Sequence, residues 1–380
     1  MAFSLGKIFG GAFGKAGDTT AIGIDIGSSS LKIVQVRASH GAAVLETYGE
    51  IALGPYAGQP IGKVVKLTPE KTAEALLELM KEANVTGRVG GISVPFASSL
   101  VSVIDLPKVD PESLKRIIPI EARKYIPVPV SEVTLDWFVI PHEETGTSAF
   151  DELQKTNSIR EKGQEVLLVA IHNKTLQSYQ QIMEAAGITA SFYEIEIFSA
   201  IRSIVGHGLA PMVIVDLGAG TTKMYVVERG VVRMTHLLSV GGQQVTETLA
   251  RIMNWDFEKA ERVKRERGFI DTSAFSQEEN ARIHEALLST LSRVFSEVNR
   301  VLLSYGQRYN KNVSNVVLTG GGASLPGISD IAKKSLSAEV TIADPFARTE
   351  APAFLGNVLR EIGPGFSVPV GIALRKLRRE

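Results

Sequence analysis

Residues 213–227 read VIVDLGAGTTKMYVV. An apolar run closes on Asp216, a turn of small residues follows, and Lys223 leads into a second apolar run. Residues 22–36, IGIDIGSSSLKIVQV, lie on this stretch without a gap. Asp25 then matches Asp216, Gly27 matches Gly218, Ser30 matches Thr221 and Lys32 matches Lys223. A repeat half a chain apart implies two related lobes. At 380 residues the chain also exceeds one ordinary core.

The repeated unit is a strand–turn–strand hairpin. Its glycines, with Ala219 and Gly220 between the strands, let backbone N–H groups approach and point at an anion. The hydroxyls of Ser28, Ser29, Ser30, Thr221 and Thr222 add donors, and charge-assisted bonds of this kind contribute about 1.5–3 kcal/mol each. A carboxylate beside a phosphate cradle repels it unless a cation lies between. Mg²⁺ keeps several waters and is bound through one or two carboxylates plus substrate phosphates. Asp25 and Asp216, one from each lobe, therefore suit a cleft for Mg²⁺ and a nucleoside polyphosphate. A single hairpin of this type reads as a tight glycine turn with an Asx bond. Two with matched Asp and Lys do not. The pattern is neither a Walker loop nor a Rossmann fingerprint, because the turn leads into a strand and not a helix.

Composition narrows the class. Lys plus Arg and Asp plus Glu number 41 each, which gives no long-range pull toward nucleic acid. There is no cysteine, so disulfides and thiolate metal sites are excluded. No apolar run reaches the roughly eighteen residues of a membrane span. Residues 1–20, rich in glycine and phenylalanine, read as a flexible tail. Arg375, Lys376, Arg378 and Arg379 read as a solvated basic end, with residues 376–380 as a tail.

Strand and helix patterns alternate between these ends, which favours α/β architecture. AIGIDIG, LKIVQVR, GGISVPF and SLVSVIDLP read as strands. Thr68 caps a helix that opens on Pro69, with Leu76, Leu77 and Met80 assigned to one face. Asp110 caps a second, with Leu114, Ile117, Ile118, Ala122 and Tyr125 on its apolar face and a kink expected at Pro119. Residues 142–164 read as an exposed loop, and long helices fill 243–309. In NVVLTGGGASLPG, Gly320, Gly321, Gly322 and Ser324 form a turn between strand and helix where backbone can lie against a flat ring. Glu261 and Lys264 share a helix face three residues apart, the spacing of a surface ion pair or of a pair that touches a ligand.

Together these pieces resemble the actin/Hsp70/sugar-kinase nucleotide-binding superfamily, from about residue 20 to the end. Within it the chain is most similar to the PilM family of type IV pilus assembly, an FtsA-like branch. IGIDIGSSSLKIVQV, IEARKYIPVPVSEVTLDW at 120–137, AAGITASFYEIEIFSAIRS at 185–203 and the final VPVGIALR carry the likeness. Pro119 departs from the continuous helix expected of relatives. The related FtsA proteins end in an amphipathic membrane helix, whereas this sequence ends RKLRRE.

The resemblance implies an actin-like ATPase fold, with ribonuclease H-like duplicated lobes around a nucleotide cleft and an FtsA-type inserted subdomain. It implies a first lobe core of 21–95 and 166–210 and an insertion of 96–165. The second lobe core would span 211–232 and 311–375, with a helical subdomain of 233–310. It implies that Asp25 and Asp216 hold Mg²⁺, mostly through water. Gly27, Ser28, Ser29, Ser30, Lys32, Gly218, Ala219, Gly220, Thr221 and Thr222 would surround the phosphates of ATP. Gly241 and Gly242 would line the cleft, Glu261 and Lys264 would reach the ribose, and Gly320, Gly321, Gly322 and Ser324 the base. Glu196 is the implied water-positioning residue, with Glu194 as the alternative, and Asp25 the other catalytic candidate. The implied function is a cytoplasmic ATP-binding scaffold with slow hydrolysis at most. It would bind the cytoplasmic N-terminal peptide of PilN, with other platform proteins and motor ATPases as further partners. Membrane contact would run through those partners; no nucleic acid is implied, and a homo-oligomer is compatible. The alternatives are an FtsA-like polymerising protein and a small-molecule kinase of the same superfamily.

Overall fold

The computed structural model describes residues 20–141, 163–206, 208 and 210–377. The expected flexible tail, apart from Thr20, lies outside these residues, as do most of the 142–164 loop and positions 378–380.

The first sheet opens with three antiparallel strands, β1 (Thr20–Ile26), β2 (Ser30–Ser39) and β3 (Ala42–Ala52). β4 (Val89–Val94) then pairs parallel with β1. Three further strands, β5 (Ser99–Leu106), β6 (Val133–Val139) and β7 (Gln164–His172), make a separate antiparallel sheet in the order β5-β7-β6. β8 (Thr189–Ile195) returns to the first sheet, parallel to β4, and completes the order β3-β2-β1-β4-β8. The second half repeats this plan. β9 (Met212–Leu217), β10 (Thr222–Glu228) and β11 (Val231–Leu238) are antiparallel, and β12 (Asn315–Thr319) and β13 (Glu339–Ile342) add in parallel. The order β11-β10-β9-β12-β13 is that of the first sheet. The duplication visible in two hairpins thus extends to two whole sheets.

The helices follow from capping and periodicity. α1 (Pro69–Glu82) starts at Thr68, whose hydroxyl accepts from the Lys71 backbone N at 3.4 Å. It buries Leu76, Leu79 and Met80, whereas Leu77 is 47% exposed. One step along a helix turns a side chain by about 100°, so Leu77 does not share the face of Leu76. α2 (Pro111–Glu121) starts at Asp110, whose carboxylate accepts from Glu112 N and Ser113 N. Pro119 is accommodated near the end of this helix, which tightens into a 3₁₀ turn at Ala122–Lys124. Leu114, Ile118 and Ala122 pack against Ile104, Val166 and Leu168 of the small sheet. Tyr125 is 43% exposed, because the tightened turn swings it off that face.

α3 (Asn173–Ala185) and α4 (Glu196–Ile204) flank β8. The segment after β11 folds as α5 (Gly242–Met253), α6 (Phe257–Arg267) and α7 (Gln277–Tyr309). α7 buries Ile283, Leu287, Leu291, Phe295 and Val298 in one core with Val213, Val215 and Val316 of the second sheet. α8 (Ile328–Ser335), α9 (Gly356–Ile362) and α10 (Ser367–Leu377) finish the described chain.

α10 lies backbone to backbone on the first lobe. A Cβ at Gly371 would sit 1.8 Å from the Ser199 carbonyl O, and one at Gly23 would sit 2.0 Å from the Pro369 carbonyl O. This helix corrects the reading of a solvated basic end. Arg375 is 7% exposed, donates to Glu194 at 2.7 Å and lies 4.1 Å over the Phe192 ring. A buried carboxylate draws the guanidinium inward, and α10 runs through Lys376 to Leu377.

Candidate functional site

The two hairpins set the geometry. The Gly27 backbone N donates to the Ser30 carbonyl O at 3.0 Å, and Gly218 N donates to Thr221 O at 3.1 Å. Strand register places Asp25 opposite Lys32 and Asp216 opposite Lys223. The turns meet across the cleft: a Cβ on Gly220 would lie 3.4 Å from the Ser28 hydroxyl. Small residues at the tips are what permit this approach.

Asp25, Asp216 and Glu196 form one electrostatic group at the floor. Asp25 accepts from the Ser93 hydroxyl at 2.6 Å. Burial pushes its carboxyl above the usual range, and Lys32, Ser93 and Lys223 offset only part of that. Glu196, the first residue of α4, accepts from the Phe96 backbone N at 2.7 Å and from Lys223 Nζ at 2.5 Å. Burial raises its pKa too; Asp216 and Asp25 add to the rise, and Lys223 opposes it. Lys223 also donates to Asp216 at 2.8 Å. Burial disfavours its charge, but Asp216 and Glu196 outweigh this and hold the ammonium protonated.

Glu194 and Glu196 are cleanly separated. Glu194 is fully buried and turned away, bound by Ser199, Arg202 and Arg375. Only Glu196 faces the two aspartates.

Around this floor stand three further groups. Lys32 donates to the Ser30 hydroxyl at 2.8 Å and pairs with Glu50 at 3.1 Å. Gly242 N and Gln243 N donate to the carbonyls of Gly218 and Ala219, which fastens the start of α5 to the second hairpin. Gly241 fits there because a Cβ would lie 2.5 Å from the Ala219 carbonyl O. Thr222 donates to the Val240 carbonyl O, so its hydroxyl is turned from the hairpin tip toward the strand end. Lys264 donates to Gly242 O at 3.1 Å, Thr246 Oγ1 at 2.7 Å and Glu261 Oε2 at 2.7 Å. Burial lowers the Lys264 pKa. Burial works against ionised Glu261, but Lys264, Thr246 and Arg265 outweigh it and hold its carboxyl below the usual range.

The glycine turn after β12 closes the far side. Gly320 has φ +81°, and a Cβ there would lie 2.3 Å from Asp216 Oδ1. Gly322 fits against Leu217, and Gly365 sits beside both Lys32 and Gly321. The Ser324 hydroxyl donates to the Glu361 carbonyl O at 2.9 Å.

Sequence reasoning missed Ser93, the inward turn of Lys223, and the loop that bridges the lobes. In that loop Val64 N donates to the Gln243 side chain at 2.7 Å and Lys63 pairs with Glu247 at 2.9 Å. Lys223 was legible, since it repeats Lys32. Ser93 lies in an ordinary apolar strand and carried no signal.

Two sheets of one topology, each opening on a glycine hairpin with an aspartate at its base, define the actin-like ATPase fold. Solved structures of that fold agree. The chain is similar to the structure described as "PilM-PilN type IV pilus biogenesis complex", with TM-score 0.76 and 23% identity over 94% of this chain and 99% of that one. It is similar to MreB5 of Spiroplasma citri bound to ADP, with TM-score 0.50 and 12% identity over 93% of this chain and 94% of that one. Cell division protein FtsA of Bacillus subtilis (strain 168) is 23% identical over 363 residues, covering 85% of this chain and 78% of the relative. The family model described as "Type IV pilus assembly protein PilM" matches residues 23–377, and the chain belongs to that family. Among the described residues no helix is long and apolar enough to cross a membrane.

Proposed function

We propose that the chain is an ATP-binding scaffold of the inner-membrane platform that assembles type IV pili. Asp25 and Asp216 would hold Mg²⁺, and the two hairpins with Lys32 would take the phosphates. Glu261 and Lys264 line the ribose side, and Gly320, Gly321, Gly322 and Ser324 the base side. The residues fit these groups. The carboxylates lie at the bases of two anion-directed turns, and glycines stand where a Cβ would fill the cleft. Bound magnesium would neutralise phosphate charge. Glu196 would orient a water, and its hydrogen bonds to Phe96 and Lys223 make slow turnover the expectation.

The subdomains of this reading are a second lobe core of 211–232 and 311–375, a helical subdomain of 233–310, and an inserted unit of 96–165 that carries β5, α2 and β6. Its edge strands and α2 offer the surface for an extended peptide. The solved PilM–PilN complex supports PilN as the partner, and the segment of PilN that we propose for this surface is its cytoplasmic N-terminal peptide. Other platform proteins and motor ATPases, and a peripheral place at the membrane reached through them, complete the reading.

One observation carries it: the matched Asp–Lys registers of two hairpins whose tips touch at Ser28 and Gly220. The test is calorimetric titration with MgATP, followed by a synthetic PilN N-terminal peptide. Binding of both is expected. A chain that ignores MgATP, or that turns over ATP rapidly with a small-molecule acceptor, contradicts the scaffold.

A further inference from the structure

The matched halves of the cleft differ in one respect. In the first hairpin the lysine makes no hydrogen bond to its aspartate: Lys32 bonds Ser30 and pairs with Glu50, acting on Asp25 by charge alone, while Asp25 accepts from Ser93. In the second hairpin the lysine turns inward. Lys223 Nζ lies 2.8 Å from Asp216 and 2.5 Å from Glu196, with 12% of its side chain exposed. Identical sequence positions thus hold their cations in two different places.

We propose that Lys223 is a built-in counter-ion that bridges Asp216 and Glu196 and competes with magnesium for Asp216. The inference rests on the nucleotide-cleft reading above. The ammonium joins carboxylates from two elements, the end of β9 and the first residue of α4. Two carboxylates brought together in a buried site need a nearby cation. Lys223 supplies one from the chain, so the charge of the metal-free cleft is already partly offset. A divalent ion and an ammonium cannot share one position, because like charges a few ångströms apart in a site of low dielectric repel strongly. Lys223 would therefore keep magnesium from Asp216 until nucleotide phosphates offered the ammonium another partner. Lys32 is already turned to the hairpin tip and needs no such movement. Lys223 acts here as a positioning residue.

The test needs no nucleotide. Thermal unfolding of the full chain is compared in EDTA and in millimolar MgCl₂ at constant ionic strength. The wild type is expected to show no magnesium-dependent shift. Lys223→Met should show a saturable rise in Tm, roughly 2 °C at ten times its dissociation constant. Lys223→Met combined with Glu196→Gln should lose most of that rise. A folded Lys223→Met that ignores magnesium, or a wild type that responds as strongly, overturns the proposal. A Lys223→Met chain that folds only in magnesium supports it. One that stays unfolded in both buffers, while the double variant folds, overturns it, since magnesium then fails to replace the ammonium. Failure of the wild type to bind MgATP would count against the nucleotide reading and leave this thermal comparison intact.

Discussion

Arg375 donates to Glu194 at 2.7 Å from 181 positions along the chain. Arg202 meets the same carboxylate from α4. The pair fastens α10 to the strand that delivers Glu196 into the cleft. Replacing Glu194 by Gln leaves two guanidinium groups facing a neutral amide in a buried site. Removing one partner of such a pair costs about 3–5 kcal/mol. Urea denaturation of Glu194→Gln should show a loss of that order. A variant as stable as the wild type would separate α10 from the integrity of the cleft.

The same residue sets a pH dependence. Burial works against ionised Glu194, but Arg202, Arg375 and Ser199 outweigh it and hold its carboxyl below the ordinary 4.5. A depressed folded-state pKa stabilises fully above the unfolded value and is lost as pH falls through the folded one. The stability gap between wild type and Glu194→Gln should therefore be constant above pH 4.5 and shrink below it. A gap that instead narrows toward alkaline pH contradicts the assignment.

Gly320 is the most constrained glycine of the cleft. Its φ of +81° and the 2.3 Å approach of Asp216 Oδ1 leave no room for a methyl group. Gly320→Ala should cost about 1–3 kcal/mol in denaturant unfolding from the positive-φ, extended backbone alone. It should also weaken MgATP binding, because the methyl displaces Asp216. Unchanged affinity would show that Asp216 tolerates movement.

The loop before α1 straps one lobe to the other. Lys63 pairs with Glu247 and lies 4.2 Å over the Phe257 ring, and Gly62 fits against Glu261. Contacts this exposed contribute about 0.2–1 kcal/mol. Lys63→Ala should leave Tm almost unchanged and speed release of a fluorescent ATP analogue by roughly two- to fivefold. Release at the wild-type rate would remove the strap from nucleotide exchange.

What could be read from the sequence follows physical reasons. The hairpins were legible because Asp, Gly and Lys recur at one spacing, and turn chemistry leaves few alternatives. The helices at 69 and 111 were legible because Thr68 and Asp110 cap them ahead of a proline. Strands β3, β6, β8, β11 and β13 escaped; all are edge strands, whereas the edge strand β5 was legible from its apolar run SLVSVIDLP. Arg375 was misread because charge alone does not show that Glu194 waits beneath it. Glu194 and Glu196 stayed ambiguous because the chain changes from strand to helix between them, and the two periods point their side chains to different places. Thr222 sits inside the motif, yet its hydroxyl meets the Val240 carbonyl, a partner set by the fold and not by the turn.

The central claim is that Asp25 and Asp216 together address a magnesium-bound nucleotide. Calorimetric titration of ATP into the wild type, Asp25→Asn and Asp216→Asn, each with magnesium and with EDTA, tests it most directly. The account predicts tighter wild-type binding with magnesium and loss of that magnesium gain in both variants, with circular dichroism showing both folded. Retention of the full gain in either folded variant would contradict it.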